Sequence, residues 1–263
     1  MINVTYIKKG LKINAIWFCK DIDRDVKRSK ADFIFIHGYP RDNYKKALVT
    51  KQSSLITDLT MTLEEIFQQF NRTYKRQINK AKNDQVEIKQ YDSKELKDKP
   101  YLLDSFKKDY ERFIHLKGIK IFYNEGAMAK YVESGNITLT KAFKGEETYA
   151  QHIFVHDDKI IRLLYTVSNF RGHEIDKNMV GTFNKYLHWK DIEYFKNNNF
   201  KVLDWGGLNS KENTNGIDVF KRGFGGKEVD YYNVIIGKSL FGKLALLLLK
   251  LKRGLSHVFV KVR

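Results

Sequence analysis

A mixed α/β fold is the architecture this sequence predicts, from three observations. Alternating apolar and polar residues open the chain, from Ile2 to Ile7 and from Leu11 to Cys19. Apolar residues recur at helical spacing in several later segments, and three consecutive strand-like runs stand between Ile137 and Val167. With 263 residues and 42% hydrophobic content, the chain can bury one large core or two small ones.

Taken in order, the two alternating runs are joined by Lys8-Lys9-Gly10, which reads as the turn of paired strands. Phe33-Ile34-Phe35-Ile36 is a buried strand, followed by a turn at Gly38-Tyr39-Pro40 and a strand around Ser53 to Leu59. A long helix is predicted from about Thr62 to Lys82. Thr62 and Glu65 have capping-box spacing, and Leu63, Ile66, Phe67, Phe70, Tyr74, Ile78 and Ala81 repeat at helical intervals. Val86 to Tyr91 returns as a strand, and Leu102 to Leu116 and Ala127 to Val132 read as helices. The strands Ile137–Phe143, Thr148–His156 and Ile160–Val167 form a predicted meander. A helix from Asn178 to Lys196 precedes a strand Lys201 to Trp205 that ends in a Gly-Gly turn. A short helix at Gly216 to Arg222, a strand Val229 to Ile236 and a last helix from Ser239 complete the chain. There is no short-period repeat and no Pro- or Ser-rich linker.

Composition narrows the chemistry. Cys19 is the single cysteine, so a disulfide framework and a thiolate metal cluster are both excluded, and no metal site is expected. Cys19 lies in an apolar run, where an inert core thiol is expected rather than a nucleophile. No Gly-x-Ser-x-Gly elbow occurs. Met1 to Thr5 leads directly into strand-like sequence without the pattern of a secretory signal, and no segment reaches the ~20 apolar residues of a membrane span. A cytoplasmic protein is the expectation. Forty-eight Lys and Arg against 31 Asp and Glu leave a formal charge of +17, which attracts polyanions such as nucleic acid, anionic lipid or phosphorylated substrates. A lysine-rich soluble surface with no such partner is the other reading.

Two glycine-rich segments are the strongest local signals. Gly206 and Gly207, after Leu203-Asp204-Trp205, permit torsions and close approach that a side chain would block, so a ligand or a second backbone is expected to pass there. A tight turn without a ligand fits as well. Gly223, Gly225 and Gly226 stand beside Lys221 and Arg222, and cations next to exposed backbone N–H groups make an anion site.

These segments also carry a resemblance. Asn184-Lys185-Tyr186-Leu187-His188-Trp189, then Leu203-Asp204-Trp205-Gly206-Gly207, then Asn215-Gly216-Ile217 and Phe220-Lys221-Arg222-Gly223-Phe224-Gly225-Gly226 together resemble the C-terminal part of the Fem-type aminoacyltransferases, a branch of the GNAT superfamily. Arg72-x-x-x-Arg76-Gln77-Ile78-Asn79-Lys80-Ala81 is similar to the basic helix those proteins carry before their second half. The matches span Asp58 to Tyr232. Residues 1–57 match weakly and are short for the full first lobe of the larger peptidoglycan enzymes.

The resemblance implies a GNAT-like mixed sheet flanked by helices, with a partial N-terminal lobe over 1–60, basic and connecting helices over 61–134, a complete C-terminal lobe over 135–237 and a basic amphipathic tail over 238–263. It implies acyl transfer by direct attack, with no tightly bound cofactor: an aminoacyl group passes to an amino group of a lipid-linked or nucleotide-linked glycan or peptidoglycan precursor. Lys221 would set its ammonium near the acyl carbonyl or the donor's phosphates, and Asp204 would hold or deprotonate the acceptor amine. A structural Asp204 capping the glycine turn is the competing reading. Substrate contacts are expected from Arg72, Arg76, Trp205, Gly206, Gly207, Phe220, Arg222, Gly223 and Phe224. His188 and Trp189 either pack or touch substrate.

Two departures bear on the donor. GNAT acetyltransferases hold the coenzyme A pyrophosphate on a glycine-rich nest. The corresponding stretch, Asn169 to Asp176, has one glycine, Gly172, and two acids, Glu174 and Asp176. Those enzymes often carry a proton-donating Tyr where this chain has Val219. Together with Arg72, Lys75, Arg76, Lys80 and Lys82, these departures favour aminoacyl-tRNA over acetyl-CoA or another acyl-CoA. An acyl-CoA-dependent N-acyltransferase acting on an amino sugar, and a non-catalytic RNA- or membrane-binding protein, are the alternatives. The tail interleaves Phe241, Leu244, Leu246 to Leu249 and Leu251 with Lys238, Lys243, Lys250, Lys252 and Arg253, which suits either a helix lying on the inner face of the membrane or one packed on the core.

Overall fold

A computed structural model describes residues 1–42, 44, 47–118, 123–169, 176–209 and 215–260, the last nine of these by backbone alone. The chain forms two compact units, one from residues 1–52 and 230–263 and one from residues 53–229.

In the first unit, β1 (Ile2–Lys8) and β2 (Leu11–Trp17) form a hairpin. Lys9 and Gly10 turn it with φ of 51° and 75°, the left-handed pair that a two-residue hairpin loop requires. Helix α1 (Ile22–Arg28) then crosses to β3 (Phe33–Tyr39), which pairs parallel to β2. This helix is short and its apolar repeat is only Ile22 and Val26, so periodicity does not reveal it; Asp21, accepting from the Arg24 N–H, starts it. Strand β10 (Lys227–Gly237) runs antiparallel to β3, and α9 (Leu240–Val260) follows. Ile16, Cys19, Ile22, Ile34, Ile36, Val234 and Ile236 make this unit's main core. Cys19 donates to Asp25, and burial pushes its thiol up to about 12, so it is an inert core group as expected.

The second unit holds β4 (Leu48–Asp58), α2 (Leu63–Gln68), α3 (Arg72–Ala81), β5 (Glu87–Tyr91), α4 (Ser93–Asp98), α5 (Tyr101–Lys117) and α6 (Glu125–Glu133). The predicted meander follows as β6 (Ile137–Lys144), β7 (Glu147–His156) and β8 (Ile160–Ser168). Helix α7 (Lys177–Asn197), β9 (Val202–Leu208) and α8 (Gly216–Arg222) complete it. The strand order is β4-β9-β8-β7-β6-β5. Neighbours are antiparallel except β8 and β9, which pair parallel because α7 carries the chain across between them.

The single long helix predicted from Thr62 to Lys82 is two helices. Thr62 caps α2 in a capping box with Glu65, and nine residues later Asn71 caps α3 by accepting from the Tyr74 N–H. The Asn71 N–H donates instead to the Gly223 carbonyl, so a tertiary bond interrupts a helical repeat that is otherwise continuous. Phe70, Tyr74 and Ile78 still reach one core with Trp189, Ile192, Phe195, Trp205 and Phe224.

Candidate functional site

The Gly206-Gly207 pair lies inside β9 and not in a turn after it. Ser54 pairs with Gly207 and Ile56 with Asp204, so Trp205 and Gly206 together oppose Leu55: a β-bulge, with Gly206 at φ +81°. The turn reading failed because a bulge and a turn ask the same thing of glycine, a left-handed torsion. What differs is the strand opposite, which only the fold supplies.

Asp204 is fixed by this bulge. It accepts from the Ser54 hydroxyl, from the Gly206 N–H at 2.8 Å and from the Arg162 guanidinium. Ser54 Oγ also lies 2.8 Å from the Gly206 carbonyl, and the Trp205 indole donates to Thr57 at 2.8 Å. Arg162 and Asp204 are each about 10% exposed in their side chains, so this is a buried ion pair holding β8 to β9.

Lys221, at the end of α8, donates to the Gly207 carbonyl at 2.7 Å. A Cβ built on Gly206 would stand 3.2 Å from the Leu163 carbonyl, 3.6 Å from Lys221 Nζ and 3.9 Å from an Arg162 nitrogen. Two cationic heads therefore converge where Gly206 has no side chain. Desolvation, and then the neighbouring Arg162 charge, pull the Lys221 ammonium down to about 8, with Asp204 and Asp218 pulling the other way. We expect Gly206→Ala to destabilise by about 1–3 kcal/mol, from the left-handed torsion and the carbonyl contact, and to push Lys221 off Gly207. Chemical denaturation of the variant measures the first effect. An unchanged midpoint would show that the bulge relaxes freely.

Parallel pairing of β8 with β9 ends at Arg162 and Asp204, although β8 runs on to Ser168 and β9 to Leu208. A cavity of about 630 Å³ is lined by the far end of β8 (Thr166, Ser168), by α7 (Lys177, Val180, Gly181, Asn184, Lys185), by α8 and its cap (Asn215, Gly216, Ile217, Phe220) and by Phe113 and Lys117 of α5. Among the described residues, three lysines and no acid line it. Lys185 lies over the Tyr74 and Phe220 rings at 4.9 and 5.4 Å and donates to the Gly181 carbonyl, and burial lowers its pKa.

The other predicted residues are distributed as follows. Phe220 is half-buried and lines the cavity. Trp205 and Phe224 are 1% and 0% exposed and stack with centroids 4.6 Å apart, in the core. Gly223 gives room to a protein group: a Cβ there would fall 2.4 Å from the Tyr74 ring, and Gly225 and Gly226 likewise admit Gln69 and the Ile56 carbonyl. Arg222 pairs with Glu228 at 2.8 Å. The glycines after Lys221 thus serve close packing of α2, α3 and β4. Arg72 and Arg76 are exposed on α3 together with Lys80 and Lys82. In the stretch that corresponds to the coenzyme A nest of acetyltransferases, Gly172 and Glu174 lie outside the described residues, while Asp176 caps α7 by accepting from the Asn178 N–H.

His188 and Trp189 are both buried. Trp189 meets Phe67 and Phe70 edge-on. His188 stacks on His152 at 3.9 Å, and His152 bonds Asp191 at 2.6 Å and Asn184 at 2.9 Å. Desolvation, then the His152 charge, hold His188 well below the usual imidazole range, and burial raises Asp191. Asn184 also lines the cavity, so this buried network fixes one cavity wall. Arg162, His152 and Asp191 belong to the candidate site, and sequence reasoning missed them. A lone polar residue in an apolar strand or helix interrupts its pattern without naming its partner.

No family profile matches the sequence, and no curated protein matches it. Solved structures do match. A FemX structure superposes with TM-score 0.60 at 11% identity, over 88% of this chain and 83% of that one. The C-terminal domain of a protein assigned as a lysylphosphatidylglycerol synthetase from Agrobacterium fabrum gives 0.58 at 10% identity, over 93% and 83%. L-PGS from Bacillus licheniformis gives 0.52 at 10%, over 92% and 83%. At these identities the likeness establishes the fold alone: a mixed α+β, GNAT-like architecture.

Proposed function

We propose that the chain is an acyltransferase that moves an aminoacyl group from aminoacyl-tRNA to an amino group of a cell-envelope glycan or peptidoglycan precursor. The observation that carries this reading is Lys221, a desolvated cation held on the β9 bulge beside Arg162, at the point where β8 and β9 cease to pair. In the reaction the acceptor nitrogen attacks the acyl carbon, the ester bond to the tRNA ribose breaks, and the amine proton passes to the departing hydroxyl. The oxyanion that forms on the way needs a water-poor cation. Lys221 supplies it, and with a pKa of about 8 it is also able to protonate the leaving oxygen. Asp204, its acceptor sites occupied by Ser54, Gly206 and Arg162, acts as a positioning residue for this cation pair.

The donor assignment draws on charge. The +17 chain, the exposed Arg72, Arg76, Lys80 and Lys82 of α3 and the cavity lysines 117, 177 and 185 suit a polyanionic donor. Asp176 places a carboxylate at the start of α7, where a pyrophosphate would otherwise sit. Titration calorimetry is expected to show aminoacyl-tRNA binding that weakens steeply with added salt, and poor binding of coenzyme A. Micromolar binding of acetyl-CoA with none of tRNA would instead assign an acyl-CoA donor to the same site. The FemX and L-PGS folds support aminoacyl transfer as the reaction class. A glycan or peptide amine is the acceptor this reading commits to.

A further inference from the structure

Helix α9 is apolar on two opposite faces. Its inner face is packed: Leu246 is 5% exposed and clusters with Ile13 and Phe33, and a Cβ on Gly242 would fall 2.1 Å from the Asp32 carbonyl. At about 100° per residue, Leu240, Leu244, Leu247, Leu248 and Leu251 project on the opposite side. These residues and Phe241 form an exposed stripe, with Leu240 and Phe241 72% and 71% exposed. Monomeric soluble proteins rarely leave so many large apolar side chains together in water.

Charge indicates what covers the stripe. From Gly237 to Arg263 the sequence has seven Lys or Arg and no acid. Lys243 and Lys250 fall on one flank of the stripe. There they line, with Tyr44, Ile236, Leu246 and Leu247, a cavity of about 520 Å³. An apolar stripe bordered by cations, beside a cavity able to take a headgroup, fits the interface of an anionic bilayer. The helix is too short in apolar sequence to cross one. We infer that α9 docks this protein on anionic membrane surfaces by inserting Leu240, Phe241, Leu244, Leu248 and Leu251 among the acyl chains, with Lys243 and Lys250 on the headgroup phosphates. The packed inner face remains on the core, so the two readings of the tail describe two sides of one helix. The inference rests on the first unit alone and is independent of the acyl-transfer reading.

The full chain is expected to float with vesicles of phosphatidylglycerol and phosphatidylcholine, and not with phosphatidylcholine alone. The triple variant Phe241→Ser/Leu244→Ser/Leu248→Ser should keep its melting temperature and lose vesicle binding by about tenfold or more. The fluorescence of a Phe241→Trp variant should be quenched by brominated acyl chains beyond the background of the three native tryptophans, two of which are in the core of the second unit and one in the first. Unchanged binding of the triple variant, or a Phe241→Trp variant whose added fluorescence is not quenched, rejects membrane insertion. So does a full chain that ignores anionic vesicles but is a dimer which the triple variant turns into a monomer, since a second copy would then be the occupant.

Discussion

Lys221→Met is expected to lower turnover by roughly a hundred- to a thousand-fold, the usual effect of removing one preorganised donor to a developing oxyanion. Methionine keeps the length of the side chain and removes the charge. Stability should hold or rise slightly below pH 8. The lysine's folded-state pKa is lowered from 10.5 to about 8, so the folded state carries a desolvated proton that the unfolded state holds more easily. That penalty is complete below pH 8 and is relieved as pH rises from 8 towards 10.5. The variant's gain, roughly 1–3 kcal/mol less the lost bond to Gly207, should therefore fade over the same window. Activity follows the opposite limb: the cation is present below about pH 8 and lost above it, so the wild-type rate should decline there. Lys227→Met, on an exposed residue of β10, is the control and should stay active. Full activity in both variants across that pH range would remove Lys221 from the chemistry.

Arg162→Met should be the most damaging stability change in the second unit. It leaves the Asp204 carboxylate buried with Ser54 and the Gly206 N–H as its hydrogen-bond partners among the described residues, and breaking one side of a buried pair costs about 3–5 kcal/mol. For a unit of this size that is a fall of roughly 6–20 °C in melting temperature. Replacing both partners with apolar residues, Arg162→Met with Asp204→Leu, should recover much of the loss because no lone charge remains. Where protein survives to be assayed, the high-pH limb of the rate should move upward, since the Arg162 charge is the second cause of the lowered Lys221 pKa. A single variant that melts within about 2 °C of wild type would show Asp204 to be satisfied without Arg162.

Local periodicity carried most of the fold. The β6–β8 meander, α5 and α7 stand within one to two residues of their predicted ends, because each buries a regular stripe. The FK-x-GF-G-G and Asp-Trp-Gly-Gly segments also marked the correct neighbourhood: Lys221, Asp204, Gly206 and Gly207 do come together. What failed was the assignment of neighbours. Gly223 fits Tyr74, 149 positions earlier, and Asp204 meets Ser54 across 150 positions. Arg162 and His152 carry no repeat that would announce a partner. Such pairings belong to topology, which one sequence encodes only through its sum of weak preferences.

The first unit is discontinuous: β3 has its partner β10 only after residues 53–229 have intervened. During synthesis at about 5–20 residues per second, the intervening stretch takes roughly ten to thirty-five seconds to emerge. Through that interval the β3 edge, Phe33 to Tyr39 with Ile34 and Ile36 destined for full burial, has no C-terminal strand to cover it. The contiguous unit is able to mature first, while the first unit waits for β10 to emerge. Termination at about residue 229, after the second unit and before most of β10, would release a chain with a finished second unit and an open, aggregation-prone edge on β3.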